Sequence, residues 1–274
     1  MKSEGKKRLG YRILQWKITN RCNYHCEYCY QNHSDEYCSN WKDIVQFLNN
    51  IDRNTIPRLY GGEPTLHPHF FDICNNFKRN FGIYSNLSKP LNFWKSLCSN
   101  KLLDHIYCSL HFSQIKSLQE FLDKINFISK FKKTYVAVML ENCDYDIKKV
   151  YNQIKEILRD NPGYVVLKVI EKENYYNIDL NSYKELLLPW QNFTLNETNT
   201  SRLDLCNKNI VLNTKRCICD ISKYFISMNI NGQILKCPIN EKSFINFEDI
   251  KDKQICQMEN CHIFTYEFCS KKKL

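Results

Sequence analysis

The chain has 274 residues, 43% hydrophobic and 25% charged. That is enough to bury a large core, in one domain or in one with a small appendage. No apolar run reaches the ~18 residues of a membrane span. The basic start, Met1–Gly10, leads into no apolar signal core, so a cytoplasmic protein is expected. An excess of 39 Lys and Arg over 29 Asp and Glu gives a net charge of +10. The charge is dispersed except at Lys6–Arg8 and Lys271–Lys273, and no nucleic-acid motif accompanies it, so neither nucleic acid nor membrane is an expected partner.

Strands are expected at Ile13–Thr19, Arg58–Gly61, Gly82–Leu87, His105–His111, Thr134–Leu140 and Tyr164–Ile170. Helices are expected between them, near Ser39–Ile51, His69–Arg79, Pro90–Ser99, Ser117–Lys130 and Ile147–Arg159. In Ser117–Lys130 the apolar Leu118, Phe121, Leu122, Ile125 and Ile128 recur at three- and four-residue steps, the stripe of a helix with one buried side. Val136–Leu140 is continuously apolar, as a strand covered on both faces requires. Strand and helix alternating at this spacing predict a parallel sheet. Six strands are too few for an eight-unit barrel, so a partial (β/α)6 barrel is expected, with its active site at the C-terminal ends of the strands.

The pattern changes after Ile170. Glu171–Asn181 is polar, Ser182–Leu188 suits a short helix, and Trp190–Ser201 reads as a loop. The expected division is a barrel over residues 1–180, a linker over 181–205 and a small cysteine-rich unit over 206–274. Within that unit Tyr224–Ile230 and Gln233–Cys237 flank Asn231-Gly232, the pattern of a two-residue hairpin.

Fifteen cysteines in a chain with no secretory signal point to metal or cluster binding rather than disulfides. Cys74, Cys98, Cys108 and Cys143 lie in or beside expected helices and strands, where a thiol packs as a small hydrophobe. Cys38 carries no further signal, and Cys206 is left open. Cys22, Cys26 and Cys29 stand apart from these, in the run Cys22-Asn23-Tyr24-His25-Cys26-Glu27-Tyr28-Cys29 on the loop after the first strand. Three thiolates so close can hold three irons of a cubane and leave the fourth iron open to a ligand. By spacing alone, chance or a zinc site remains possible. Tyr60-Gly61-Gly62-Glu63-Pro64 follows the second strand, Ser85-Asn86 ends the third, and Ser109 lies near the end of the fourth.

Together the cysteine run and the GGEP turn resemble the radical S-adenosylmethionine (radical SAM) enzymes. The resemblance implies a [4Fe-4S] cluster on Cys22, Cys26 and Cys29, with SAM chelating its open iron. It places Tyr28 at the adenine end of SAM and Gly61, Gly62, Glu63 and Pro64 in the turn that meets the methionine amine. Ser85, Asn86 and Ser109 would supply further polar contacts. The implied activity is reductive cleavage of SAM to a 5′-deoxyadenosyl radical that abstracts a hydrogen atom from substrate. A flavodoxin- or ferredoxin-type electron donor is implied with it.

Cys219, Gly232 and Cys237 followed by Cys256 and Cys261 resemble the SPASM and twitch extensions, which hold auxiliary clusters with a β-hairpin and a short helix. One auxiliary [4Fe-4S] cluster on Cys219, Cys237, Cys256 and Cys261 is implied, with Cys217 or Cys269 as substitutes and zinc as an alternative occupant. Enzymes with such extensions commonly modify ribosomally made peptides, which makes a peptide the expected substrate. A nucleotide, sugar nucleotide or other metabolite is the alternative, and a non-catalytic iron–sulfur or zinc protein a second. His111, two places after Ser109, suits substrate contact, proton transfer or plain packing. Glu141, ending the fifth strand, suits a ribose contact or a solvated loop. Whether Lys168 faces inward depends on the register of the sixth strand.

Overall fold

The computed structural model describes residues 12–29 and 31–170, and further on 180–183, 185–186, 212–213, 218–219, 225–237, 240–250, 254–255, 260–261 and 271–272. Six strands alternate with five helices through the first part: β1 (Arg12–Thr19), α1 (Trp41–Asn50), β2 (Thr55–Gly61), α2 (Phe70–Asn76), β3 (Phe81–Ser85), α3 (Leu91–Cys98), β4 (Leu103–Leu110), α4 (Leu118–Ser129), β5 (Lys133–Leu140), α5 (Ile147–Ile157) and β6 (Val165–Val169). Each expected strand and helix is present, with ends moved by a few residues. Then come β7 (Leu212–Asn213), β8 (Ile218–Cys219), β9 (Phe225–Met228), β10 (Ile234–Cys237), β11 (Asn240–Ile245), β12 (Gln254–Ile255), β13 (Asn260–Cys261) and β14 (Lys271–Lys272).

Strands β1 to β6 pair in order and in parallel, giving an open arc rather than a closed barrel. Along β1 the side chains alternate: Leu14, Trp16 and Ile18 are fully buried, whereas Gln15 and Lys17 stand half-buried on the opposite side. The buried set packs with Trp41, Ile44, Val45 and Leu48 of α1, which identifies the helix-covered face. Fully burying a side chain of this size stabilises by about 1.5–3 kcal/mol. The α4 stripe behaves the same way. Phe121, Leu122, Ile125 and Ile128 are buried, and the helix starts where the Ser117 hydroxyl accepts the Glu120 N–H at 3.2 Å.

The other face of the sheet carries a row of tyrosines. Tyr84, Tyr107 and Tyr135 are register partners on β3, β4 and β5, with ring centroids 4.9 and 6.1 Å apart. The Tyr84 hydroxyl accepts from Gln15 Nε2 at 2.7 Å and Arg58 Nη1 at 3.1 Å. In β6 the register settles the direction of Lys168. Leu167 is buried on the helix side with Val165, so Lys168, partner of Met139, stands on the tyrosine side.

Two expectations need correction. Strand β2 begins three residues earlier than expected and runs through Pro57. Proline lacks the ladder N–H, but β3 pairs only with Arg58 and Leu59, so at Pro57 the strand has a partner on one side alone. The hairpin also differs. Met228 pairs with Ile234, and the turn closes through Asn229 N–H to Gln233 O at 2.9 Å and Gly232 N–H to Asn229 O at 3.1 Å. This is a three-residue loop with Gly232 at φ 80°, a left-handed position that follows a type I turn and suits glycine. The Asn229 Oδ1 accepts both the Asn231 and Gln233 N–H groups, which favours the longer loop.

The hairpin β9–β10 extends the main sheet. Strand β9 lies parallel to β1, pairing Ile13 with Phe225 through Trp16 with Met228, and β10 and β11 follow antiparallel. Cys74, Cys98 and Cys108 are buried, as expected of packing thiols, and Cys143 is half-buried. Among the described residues no helix is long and apolar enough to cross a membrane. The proposed linker 181–205 lies almost wholly outside the described residues, as does Cys206; at its start 180–183 form a 3-10 turn.

Arg79 holds the helix layer to the sheet by donating to four carbonyls, those of Leu48 and Ile51 at the end of α1 and of Asp52 and Thr55 leading into β2. Helix ends leave such carbonyls without internal partners. Arg79→Met is expected to lower stability by about 2 kcal/mol, read as a lower urea midpoint, and Arg79→Lys to recover only part of it because lysine lacks the planar fork.

Candidate functional site

The cysteine loop leaves the C-terminal end of β1 and returns to it. Its neck is closed by Asn20 N–H to Glu36 O at 2.9 Å, Cys38 N–H to Ile18 O at 2.8 Å, and a bridge between Thr19 and Tyr37. The Thr19 hydroxyl donates to Glu36 O and accepts from the Arg21 N–H. A second seam ties the loop to the turn after β2: Gly62 N–H donates to Thr19 O at 3.0 Å and Glu63 N–H to Arg21 O at 2.7 Å. There is no space there for a side chain. A Cβ on Gly62 would sit 2.2 Å from Arg21 O, and one on Gly61 would sit 2.2 Å from Thr19 O. The glycine pair therefore has a physical role in this chain, seating the cysteine loop on the end of the sheet.

Glu63 is fully buried, and its carboxylate joins two strand ends. One oxygen accepts from the Thr65 N–H, the Thr65 hydroxyl at 2.7 Å and the Ser85 hydroxyl at 2.9 Å; the other accepts the Asn86 N–H at 2.7 Å. Burial pushes its pKa up, against the pull of these donors. Pro64 opens the short 3-10 turn that carries Thr65. The Ser85 hydroxyl also accepts from the Leu87 N–H, and the Asn86 amide donates to Asn23 Oδ1 in the cysteine loop while accepting from the Ser88 N–H. Asn86 thus braces the loop directly, whereas Ser85 holds Glu63 in place. Ser109 differs: it is half-buried on the tyrosine side, and among the described residues its hydroxyl has no hydrogen-bond partner.

The far side of the loop meets β4 and β5. Tyr28 donates its hydroxyl to Glu141 Oε1 at 2.6 Å and lies 2.6 Å from His111 Nδ1. Glu141 Oε2 accepts the Ser113 N–H, and Gln114 Oε1 accepts the His25 N–H at 2.9 Å. Burial, with the Glu141 charge and hydrogen bond adding, drives the Tyr28 pKa far up, and burial drives His111 down to about 4. Tyr28 and His111 are therefore both neutral near pH 7. Sequence reading singled out neither Asn23 nor Lys124. Lys124 is buried, donating to Leu87 O at 2.8 Å and pairing with Glu120 at 2.7 Å, and it holds Leu87 at φ 55°. A lysine inside the apolar α4 stripe was the available signal.

The three thiols of the loop are half-buried and unpaired by disulfides. Each sulfur has a nitrogen neighbour: the Tyr24 N–H at Cys22, His111 Nδ1 at Cys26 and His33 Nε2 at Cys29. Burial raises the Cys22 pKa and pushes Cys26 up to about 12, a cost to the thiolate that a bound cation reverses. Among the described residues no three His, Cys, Asp or Glu groups converge on one metal ion. A cubane does not require that, because each thiolate takes its own iron. A loop of three accessible thiols with N–H donors at its sulfurs fits such a group.

In the C-terminal segment Cys219, Cys237 and Cys261 lie in strands β8, β10 and β13. Cys219 pairs with Gln254 and Lys271, Cys237 with Asn240 and Cys261 with Leu212. Cys217, Cys256 and Cys269 lie outside the described residues. The hairpin expected between Cys219 and Cys237 is present. Beyond it the described residues hold a 3-10 turn at Phe247–Asp249 and short strands.

No protein-family model matches the chain. Two solved structures align over most of it: Streptococcus suis SuiB bound to S-adenosylmethionine, 16% identical with a TM-score of 0.56, covering 89% of this chain and 63% of that one; and anSMEcpe with bound AdoMet and the Cp18Cys peptide, 18% identical with a TM-score of 0.54, covering 84% and 75%. The chain shares the fold of these two structures, a partial barrel with an open parallel sheet. Among curated relatives, an S-adenosylmethionine-dependent nucleotide dehydratase of Selenomonas ruminantium is 38% identical over 61 residues, 21% of this chain and 22% of that protein. A tungsten-containing aldehyde ferredoxin oxidoreductase cofactor-modifying protein of Pyrococcus furiosus is 26% identical over 174 residues, 60% of this chain and 45% of that protein. The matched stretches thus span less than half of these relatives.

Gly62→Ala is expected to force the loop off the sheet, since the obstructing atom is backbone rather than a mobile side chain. The measurement is thermal unfolding. A melting temperature lower by several degrees is expected for Gly62→Ala, and one close to the native value for Gln46→Ala, on the exposed side of α1.

Proposed function

We propose that the chain is a radical SAM enzyme whose cluster is held by Cys22, Cys26 and Cys29. The observation that carries the reading is the seam between the cysteine loop and Gly62-Glu63, which puts three half-buried thiols at the C-terminal end of a partial barrel. When bound, the [4Fe-4S] cluster supplies the electron that cleaves SAM to a 5′-deoxyadenosyl radical, which then takes hydrogen from substrate. The protein orients and shields. Gly61, Gly62, Glu63 and Pro64 shape the turn where the methionine end of SAM would lie, and Ser109 offers a hydroxyl on the open face. Tyr28, held by Glu141, closes the site on the β5 side. A flavodoxin- or ferredoxin-type protein is the proposed electron donor. Cys219, Cys237, Cys256 and Cys261 are the proposed ligands of one auxiliary cluster, with Cys217 and Cys269 as substitutes.

Anaerobic incubation with SAM and dithionite is expected to release 5′-deoxyadenosine. Cys22→Ala, Cys26→Ala and Cys29→Ala should each reduce that release to background, and a triple variant that still cleaves SAM would overturn the assignment. Reconstitution is expected to bind about eight irons with the auxiliary cluster and about four without it.

A peptide is the proposed substrate, a reading supported by the shared fold with SuiB and with anSMEcpe, the latter solved with a peptide. A second reading, an anionic metabolite such as a nucleotide, is favoured by Lys17 and Lys168. Both stand on the tyrosine side of the sheet, and among the described residues neither has an acidic partner. The nucleotide dehydratase relative supports the same reading. The two separate experimentally. Under the second, Lys17→Gln with Lys168→Gln is expected to weaken nucleoside triphosphate binding at least tenfold by calorimetry. Under the first, the native chain shows no such binding.

A further inference from the structure

We infer that His111 is a positioning residue for the cysteine loop, donating its Nδ1–H to the Cys26 sulfur and thereby making the cluster easier to reduce. The inference rests on the reading of Cys26 as a cluster ligand. His111 follows β4 directly, and its Nδ1 lies 3.6 Å from Cys26 Sγ and 2.6 Å from the Tyr28 hydroxyl. The direction of these bonds follows from hydrogen counting. A ligating Cys26 is a thiolate and only accepts, as the Glu141 carboxylate does; with the single Tyr28 proton on Glu141 Oε1, Nδ1 carries the hydrogen shared between Tyr28 and Cys26. Glu141 is held in turn by the Ser113 N–H at 2.8 Å.

The ring has little freedom to turn away. It stacks on Tyr28 at 5.9 Å and 20°, and meets Tyr24 edge-on at 6.0 Å and 84°. The other two sulfurs have their nitrogen neighbours inside the loop itself, Tyr24 for Cys22 and His33 for Cys29. The Cys26 sulfur instead has its nitrogen neighbour in the residue that follows β4. His111 therefore couples one iron ligand to the sheet, and through Tyr28 and Glu141 to the end of β5.

An N–H donated to a ligating sulfur stabilises the more negative, reduced cluster more than the oxidised one. The test uses the full chain, reconstituted anaerobically, and a redox titration followed by electron paramagnetic resonance. His111→Phe keeps the ring but removes the donor, whereas His111→Asn offers an amide N–H near the position of Nδ1. Relative to the native chain, His111→Phe is expected to shift the reduction equilibrium about tenfold toward the oxidised form, about 59 mV lower for a one-electron couple. His111→Asn should stay near the native value.

An unchanged potential in His111→Phe, or equal lowering in both variants, overturns the inference while leaving the cluster assignment intact. Failure of the native chain to hold iron on the N-terminal loop overturns the underlying reading instead. Should His111→Phe not fold, the His33→Gln protein labelled with ring-¹⁵N histidine gives the same decision. A nitrogen coupling to the reduced centre is expected, and its absence refutes the donated hydrogen bond.

Discussion

Two backbone hydrogen bonds, from Gly62 to Thr19 and from Glu63 to Arg21, hold the cysteine loop to the end of the second strand. Everything else in the site is arranged around that contact. The approach is so close that neither glycine could carry a Cβ, and the following Glu63 turns its carboxylate inward, where it gathers the ends of β2 and β3 into one buried cluster of donors. Asn86 carries the linkage back to Asn23 in the loop. On the opposite side Tyr28, His111 and Glu141 perform the same task at β4 and β5. The loop is thus clamped from two directions, and the three sulfurs lie between the clamps.

The polar residues at the strand ends divide into two kinds in this arrangement. Ser85 and Asn86 have their hydrogen-bonding groups occupied within the protein, so their contribution is to hold other groups in place. Ser109, Lys17 and Lys168 stand on the tyrosine side, and their side chains have no such partners among the described residues. Precision in a reactive site comes from packing the supporting shell as much as from the groups that touch substrate. Here the support is largely charge-assisted and buried, with Glu63, Lys124 and Glu141 among its ionisable members.

The alternation of strands and helices could be read from residues because their burial patterns differ in period. The α4 stripe and the continuous run Val136–Leu140 both form what their patterns require. The expected start of β2 at Arg58 fell short, because the strand crosses Pro57, whose missing N–H is harmless where β3 does not reach. The Asn231-Gly232 turn has the composition of a tight hairpin, but the Asn229 side chain captures two backbone donors and lengthens the loop. The cysteines and the GGEP turn announced the site. Its braces were harder to see: Asn23 and Lys124 act through contacts 63 and 37 positions apart, and Glu141, read as a ribose contact or a solvated loop residue, is buried and holds Tyr28 from 113 positions away. The pairing of β9 with β1 was equally hidden, because local sequence carries no record of a partner more than two hundred residues away.

That pairing has a consequence for how the molecule comes into being. On the ribosome, β1 emerges first and carries the cysteine loop at its tip, yet one of its edges acquires a neighbour only after Phe225–Met228 has been made. Contacts so distant along the chain form late and slowly, and an uncovered strand edge invites the wrong company meanwhile. Until then the loop hangs from a strand still bare on one flank, and its support is complete only once Phe225–Met228 has left the ribosome.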